Sequence, residues 1–233
     1  MEAFKNYIQQ FPHYKPKLFE NILPFLSIKK IEAGEYFLRQ GKTCRNIAFI
    51  EKGLMRIYYL NDGKEITTCF CKENTLTCSY KSLITKTPSD MSIQAIEPTE
   101  VIVFSYEALQ KLYEKELFWQ QVGRIAAENE FINTECHNRF ISDLSATERY
   151  KDILENDSSL LQRIPLSYLA SYLQVAPETL SRIRKRIIRT WPRSIDPDLF
   201  LCTFVPLFNK NDSLNGADGA YVNVAYKAFS KED

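Results

Sequence analysis

Glycine is spread unevenly along this chain of 233 residues, and the distribution divides it into two kinds of structure. Four of the seven glycines (Gly34, Gly41, Gly53 and Gly63) crowd into one short region, and after Tyr106 the residue nearly disappears. Around and between those four run "EYFLRQ", "NIAFI", "LMRIYYL" and "EITTCF", rich in the β-branched and aromatic residues that suit a pleated surface. The turns "AGE", "EKG" and "NDGK" separate them, the last a strong hairpin signal. "SIQAIEPTEVIVFS" adds two strands around Pro98. Many short strands with frequent turns predict an antiparallel barrel or sandwich over about residues 28–105. Upstream, Phe4, Tyr7, Ile8, Phe19, Ile22 and Leu23 recur at helical intervals, interrupted by "FPHYKP".

Past Tyr106 the pattern is helical. Phe118, Val122, Ile125, Asn129, Ile132 and Cys136 alternate steps of four and three residues, the seam of a coiled coil. A helix there through Leu144 would be about 40 Å long. So long a helix after a small barrel predicts parallel pairing with a second chain, in which Asn129 would fix the register. "SDLSATERYKDILEND" breaks and restarts it, with Asp143, Ser145 and Thr147 as candidate N-caps. Leu166, Leu169, Ala170 and Leu173 then make one short amphipathic helix, and Leu180, Ile183 and Ile187 the buried stripe of another. Only Gln174 to Pro177 lie between them, and proline suits the first turn of a helix, where its missing N–H costs nothing. Two short helices across a tight turn predict a helix-turn-helix.

Charge marks the same place. From Arg163 to Arg193 there are seven basic residues and one acidic, Glu178, within a chain whose net charge is +1. Charge segregated in this way predicts an acidic partner for that segment alone. Elsewhere the composition (45% hydrophobic, 25% charged) is that of a soluble globular protein, with no apolar run long enough to span a membrane and no signal-peptide pattern at the start. The expectation is a cytoplasmic protein without a membrane partner. The six cysteines (Cys44, Cys69, Cys71, Cys78, Cys136 and Cys202) include no C-x-x-C pair, and His13 and His137 are remote from the middle group. No metal site is expected, and reduced thiols packed as small apolar residues is the plain reading. No Gly-rich phosphate loop or nucleophile motif points to an enzyme.

In this order and spacing, "IEAGEYFLRQG", "IAFIEKG", "EVIVFSYEAL" and "LASYLQVAPETLSRIRKR" resemble the Crp/Fnr superfamily of bacterial transcription regulators. The resemblance covers about residues 10–190 and implies an α+β fold. Its parts are an antiparallel, jelly-roll-like β-roll effector domain with N-terminal helices (1–117), a dimerisation helix (118–145) and a winged helix-turn-helix domain (146–190). A C-terminal tail, 191–233, has no recognisable wing start; "LFLCTFVPLF" and "AYVNVAY" within it could be strands. The implied partners are double-stranded DNA, a second copy of the chain and RNA polymerase.

The family's recognition helix reads E-T-x-S-R, which falls on Glu178, Thr179, Leu180, Ser181 and Arg182. By that resemblance Glu178, Ser181 and Arg182 read base edges, and the chemistry agrees: arginine bonds guanine bidentately and glutamate accepts from cytosine. Serine beside that arginine resembles the Fnr branch and its TTGA-like half-sites. Thr179, Arg184, Lys185, Arg186 and Arg189 would meet the phosphate backbone, positioning the protein without reading sequence. The dimer contacts would come from Val122, Ile125, Asn129, Ile132 and Cys136. Nucleotide-binding members hold the ribose with a glutamate and the cyclic phosphate with an arginine. Here those positions fall on Ser79 and Ser89, with Asp90 adjacent, so the effector pocket reads as degenerate and cAMP binding is not expected. No cofactor is expected, although a remodelled pocket leaves room for another small effector. The leading expectation is a DNA-binding regulator. The competing one is a small-ligand sensor signalling through a protein partner.

Overall fold

The computed structural model describes residues 1–190, with side chains through Ile187. The tail assigned to 191–233, and the strands suggested in it, lie outside the described residues. The chain divides into two compact units, Met1–Arg124 and the residues from Ile125 onward.

In the first unit, helices α1 (Glu2–Gln9) and α2 (Pro16–Ile22) precede eight strands. These are β1 (Ser27–Ile31), β2 (Tyr36–Leu38), β3 (Asn46–Lys52), β4 (Met55–Asn61), β5 (Lys64–Cys71), β6 (Leu76–Thr77), β7 (Ser92–Ala95) and β8 (Thr99–Ser105). They form two four-stranded sheets, ordered β1-β8-β3-β6 and β2-β7-β4-β5, and every pairing is antiparallel. Successive strands change sheet at nearly every turn, which is the jelly-roll winding expected from the sequence. The exception is the β4–β5 hairpin, where Asp62 and Gly63 both take positive φ (49° and 77°), the two-residue turn that the "NDGK" signal predicts. Phe49, Ile50, Leu54, Met55, Ile93, Val101 and Ile102 are fully buried. Helix α1 adds Phe4, whose ring centroid lies 5.1 Å from that of Phe49 and 6.0 Å from that of Phe104. Arg56 is also fully buried, a charge that β4 carries among the apolar residues of the roll. Gln94 Oε1 accepts from its Nε at 3.0 Å and its Nη2 at 2.7 Å, and Glu65 Oε2 accepts at 2.5 Å.

A short helix, α3 (Tyr80–Thr85), lies between β6 and β7, and α4 (Tyr106–Lys115) follows β8. Then comes α5 (Leu117–Asp143), 27 residues and so about 40 Å long. The first unit takes in the start of α5. Trp119 and Phe118 are buried, and Phe118 packs edge-on to Tyr14. Gly123 belongs to the same packing: a Cβ there would lie 1.9 Å from the Tyr113 hydroxyl.

The second unit holds the rest of α5, then α6 (Ala146–Asn156), α7 (Ser158–Arg163), α8 (Leu166–Tyr172) and α9 (Pro177–Thr190). Of the three candidate caps, Ser145 starts α6. Its hydroxyl accepts from the Glu148 N–H, and the Glu148 carboxylate accepts from the Ser145 N–H, a complete capping box.

Candidate nucleic-acid interface and effector pocket

Helix α8 ends in a tight, fully bonded turn. The Gln174 N–H donates to the Ser171 carbonyl and the Val175 N–H to the Ala170 carbonyl, both at 3.0 Å. Gln174 sits at φ 53°, the left-handed residue that a Schellman ending requires. The chain therefore reverses within a few residues, and Pro177 opens α9 at its first position. Leu180, Ile183 and Ile187 are buried, as are Leu169, Ala170 and Leu173 of the helix before. That inward stripe fixes which way α9 faces.

Glu178, Thr179 and Arg182 are exposed and Ser181 is partly exposed, so the three base-reading candidates share the outer side of the helix. Arg184, Lys185 and Arg186 are exposed beside them, and the Arg186 guanidinium donates to the Thr147 hydroxyl. Arg189 lies in α9, but its side chain is outside those described. A shallow cleft of about 410 Å³ brings Thr179, Arg182 and Arg186 together with Ser145, Ala146 and Thr147 at the start of α6. Two guanidinium groups beside the positive end of a helix make a surface suited to an anion. The sequence placed Thr179 and the arginines there; the contribution of α6 came only with the structure, because nothing local to "SATE" shows what it packs beside.

Along α5, Val122 and Ile125 are buried within the chain itself, whereas Asn129 and Ile132 are partly exposed and Cys136 is exposed. The amide oxygen of Asn129 is buried with no hydrogen-bond partner among the described residues. Phe131 presents a large apolar side chain to solvent, 65% exposed.

In the roll, Ser79 and Ser89 come together although ten residues separate them. Both are buried, and their hydroxyl oxygens are 2.9 Å apart. Ser89 Oγ also lies 2.8 Å from the Met91 carbonyl and accepts from the Met91 N–H at 3.1 Å. The loop bearing Ser89 is held by Gly41, whose N–H donates to the Ser89 carbonyl at 2.7 Å. Asp90 points outward, where Lys81 bonds its carboxylate at 2.9 Å and holds its pKa below the usual carboxylate value. Two neutral hydroxyls bonded to each other, with a carboxylate next in sequence, offer a phosphate no fixed positive charge.

The cysteines depart in part from the expectation of packed apolar thiols. Cys44 and Cys71 are buried and Cys78 is partly buried, but Cys69 and Cys136 are exposed. Cys69 lies on β5, the outermost strand of its sheet, and Cys136 on α5. Among the described residues, no group of three or more potential ligands is arranged to hold a metal ion.

Residues 28–116 match the model of the cyclic nucleotide-binding domain. Most of the chain, 70–79% of it, superposes on solved structures of low sequence identity. A protein assigned to the Crp/Fnr transcriptional regulators, from Eubacterium rectale, aligns with a TM-score of 0.62 at 17% identity, covering 79% of this chain and 88% of that one. FixK2 from Bradyrhizobium japonicum gives 0.59 at 15% identity, with 70% and 85% covered. The c-di-GMP-responsive regulator CLP of Xanthomonas campestris gives 0.56 at 15%, with 75% and 92% covered. The chain has the fold of the Crp/Fnr regulators. No curated protein matches it in sequence. The Crp/Fnr-type fold accounts for the order of parts seen here: a roll of the cyclic nucleotide-binding kind, a long helix, and then the helical second unit. No helix among the described residues is long and apolar enough to cross a membrane.

Proposed function

We propose that this chain is a dimeric, sequence-specific DNA-binding transcription regulator whose roll does not respond to cAMP. The observation that carries the reading is α9: a short helix behind a tight turn, buried on one side and bearing Glu178, Ser181, Arg182, Arg184, Lys185 and Arg186 on the other. Glu178 and Arg182 are of the types that read base edges, and the flanking cations are of the type that holds phosphates. Thr147 and the start of α6 would share a phosphate with Arg186. Asn129, Ile132 and Cys136 form the part of the α5 seam left for a second chain, and pairing across a two-fold axis would give the Asn129 amide oxygen a partner. Two copies of α9 would then read two half-sites of a pseudo-palindrome of the TTGA type. RNA polymerase is the expected second partner of such a regulator.

The neutral Ser79–Ser89 pair supports the second half of the proposal. The test is selection from random duplexes by the purified, ligand-free chain at two salt concentrations, repeated with cAMP. The expected result is a two-fold symmetric motif with a guanine in each half-site, bound with unchanged affinity when cAMP is added. Failure to enrich any motif, with binding equal on all duplexes, would favour a sensor that acts through a protein partner. A large gain on adding cAMP would overturn the reading of the pocket.

A further inference from the structure

We propose that Cys69 and Cys71 form a redox-active dithiol that a peroxide closes into a disulfide. The two residues are two apart on β5, and an extended strand turns such residues to the same face. Their sulfurs are 3.9 Å apart. Two residues of extended strand span about 6.5 Å between α-carbons, at the upper edge of what a disulfide bridges, so closure needs a local bend that brings the two Cβ atoms within about 4.5 Å. The strand is placed to supply it. β5 is the outer strand of its sheet, and its pairing with β4 slips by one residue between Ile57 and Tyr58, opposite Cys69 and Thr67. The extra residue, Thr68, adjoins Cys69 and bends the strand just ahead of the pair, while Cys69 to Cys71 lie in regular register with Ile57 to Met55.

The two thiols also differ in the way such chemistry requires. Cys69 is exposed, whereas Cys71 is buried, its thiol facing the Thr77 hydroxyl at 3.6 Å. In the first step the Cys69 thiolate attacks a peroxide oxygen. An S–O bond forms, the O–O bond breaks, and the departing hydroxide takes up a proton, leaving a sulfenic acid on Cys69. In the second, the Cys71 sulfur attacks the Cys69 sulfur. The S–S bond forms, the S–O bond breaks, and the leaving hydroxide takes the Cys71 proton to become water. The pair loses two electrons and two hydrogens, and the peroxide becomes two waters. A ring this small is strained, and strained, exposed disulfides are readily reduced, so the bond reopens when thiols prevail.

The test uses the reduced full-length chain, exposed to hydrogen peroxide in stepwise amounts and followed by intact mass, thiol count and tryptic mapping. Both cysteines lie between Lys64 and Lys72, so one peptide carries them. The expected result is a loss of two thiols and two hydrogen masses, confined to that peptide and reversed by dithiothreitol. Cys71→Ser should instead leave a sulfenic acid at Cys69 that dimedone traps, and Cys69→Ser should abolish the change. Cys71 is buried, so the fold of its variant is checked by circular dichroism, and the exposed Cys69→Ser gives the independent arm. Passage of Cys69 to a sulfinic acid while Cys71 stays reduced would overturn the proposal. So would a disulfide from Cys69 to any other cysteine or to a second chain.

Discussion

Gly53 ends β3 at φ 105°, and Thr99 and Pro98 are pressed into the space a side chain would need. A Cβ there would lie 2.6 Å from Thr99 Oγ1 and 2.7 Å from Thr99 Cα. Backbone strain and a contact with main-chain atoms act in the same direction. Gly53→Ala should therefore cost about 2–4 kcal/mol in chemical unfolding, and an unchanged midpoint would show the turn to be softer than it looks. Gln174 is the opposite case, because a residue with a side chain occupies the left-handed position that glycine favours. The strain there is roughly 1–2 kcal/mol, against about 0.5–1 kcal/mol for the greater freedom of glycine in the unfolded chain. Gln174→Gly should raise the thermal midpoint of the second unit slightly; a lowered midpoint would mean that the glutamine side chain holds the turn together. The "EKG" turn was legible in the sequence because glycine marks turns. The partners crowding it come from a strand more than forty residues away, which no local pattern reveals. The Ser79–Ser89 pair divides the same way. The residue types at the pocket positions could be read in advance, but their hydrogen bond could not.

At the scale of elements, the strands with alternating or continuous apolar character and the β4–β5 hairpin were legible. β1, β6 and α3 were not. β1 is exposed at four of its five positions, since it lies at the edge of its sheet, so its sequence "SIKKI" shows no buried face. β6 is only two residues long. The seam of α5 was legible as a period but not as a division of labour: its start packs within the first unit, and Asn129, Ile132 and Cys136 stay partly or fully exposed, where the proposed pairing would place them. Farther along the same helix, His137 lies 5.4 Å from Tyr172 of α8, with Phe140 5.7 Å from that ring. Burial holds the His137 pKa below its ordinary value. A histidine depressed in the folded state favours the neutral form, so its stabilisation is present above the unfolded pKa of about 6.5 and declines as pH falls below it. The unfolding free energy of the second unit should fall as pH drops below about 6.5, and His137→Phe should flatten that part of the profile. An equally steep profile in the variant would assign the effect to other groups.

At the scale of the whole molecule, the cation-rich face of α9 is the one feature on which composition, helical register and fold agree. The net charge of +1 conceals it, because acids elsewhere balance the basic segment. Charge position, not net charge, carries the information. Under the proposed function, neighbouring cations on one helix have two different tasks: Arg182 would read a base, whereas Lys185 would only neutralise phosphate. Equilibrium binding of the two variants to the selected duplex and to a scrambled one, across a range of salt concentrations, separates these tasks. Arg182→Ala should weaken binding to the selected duplex by about 1–3 kcal/mol while leaving the scrambled one little changed, so that the specificity ratio collapses. Lys185→Ala should weaken both alike and lower the salt slope by about 1. Equal losses on both duplexes for Arg182→Ala, or no loss on either, would contradict the assignment of α9 as a sequence-reading helix.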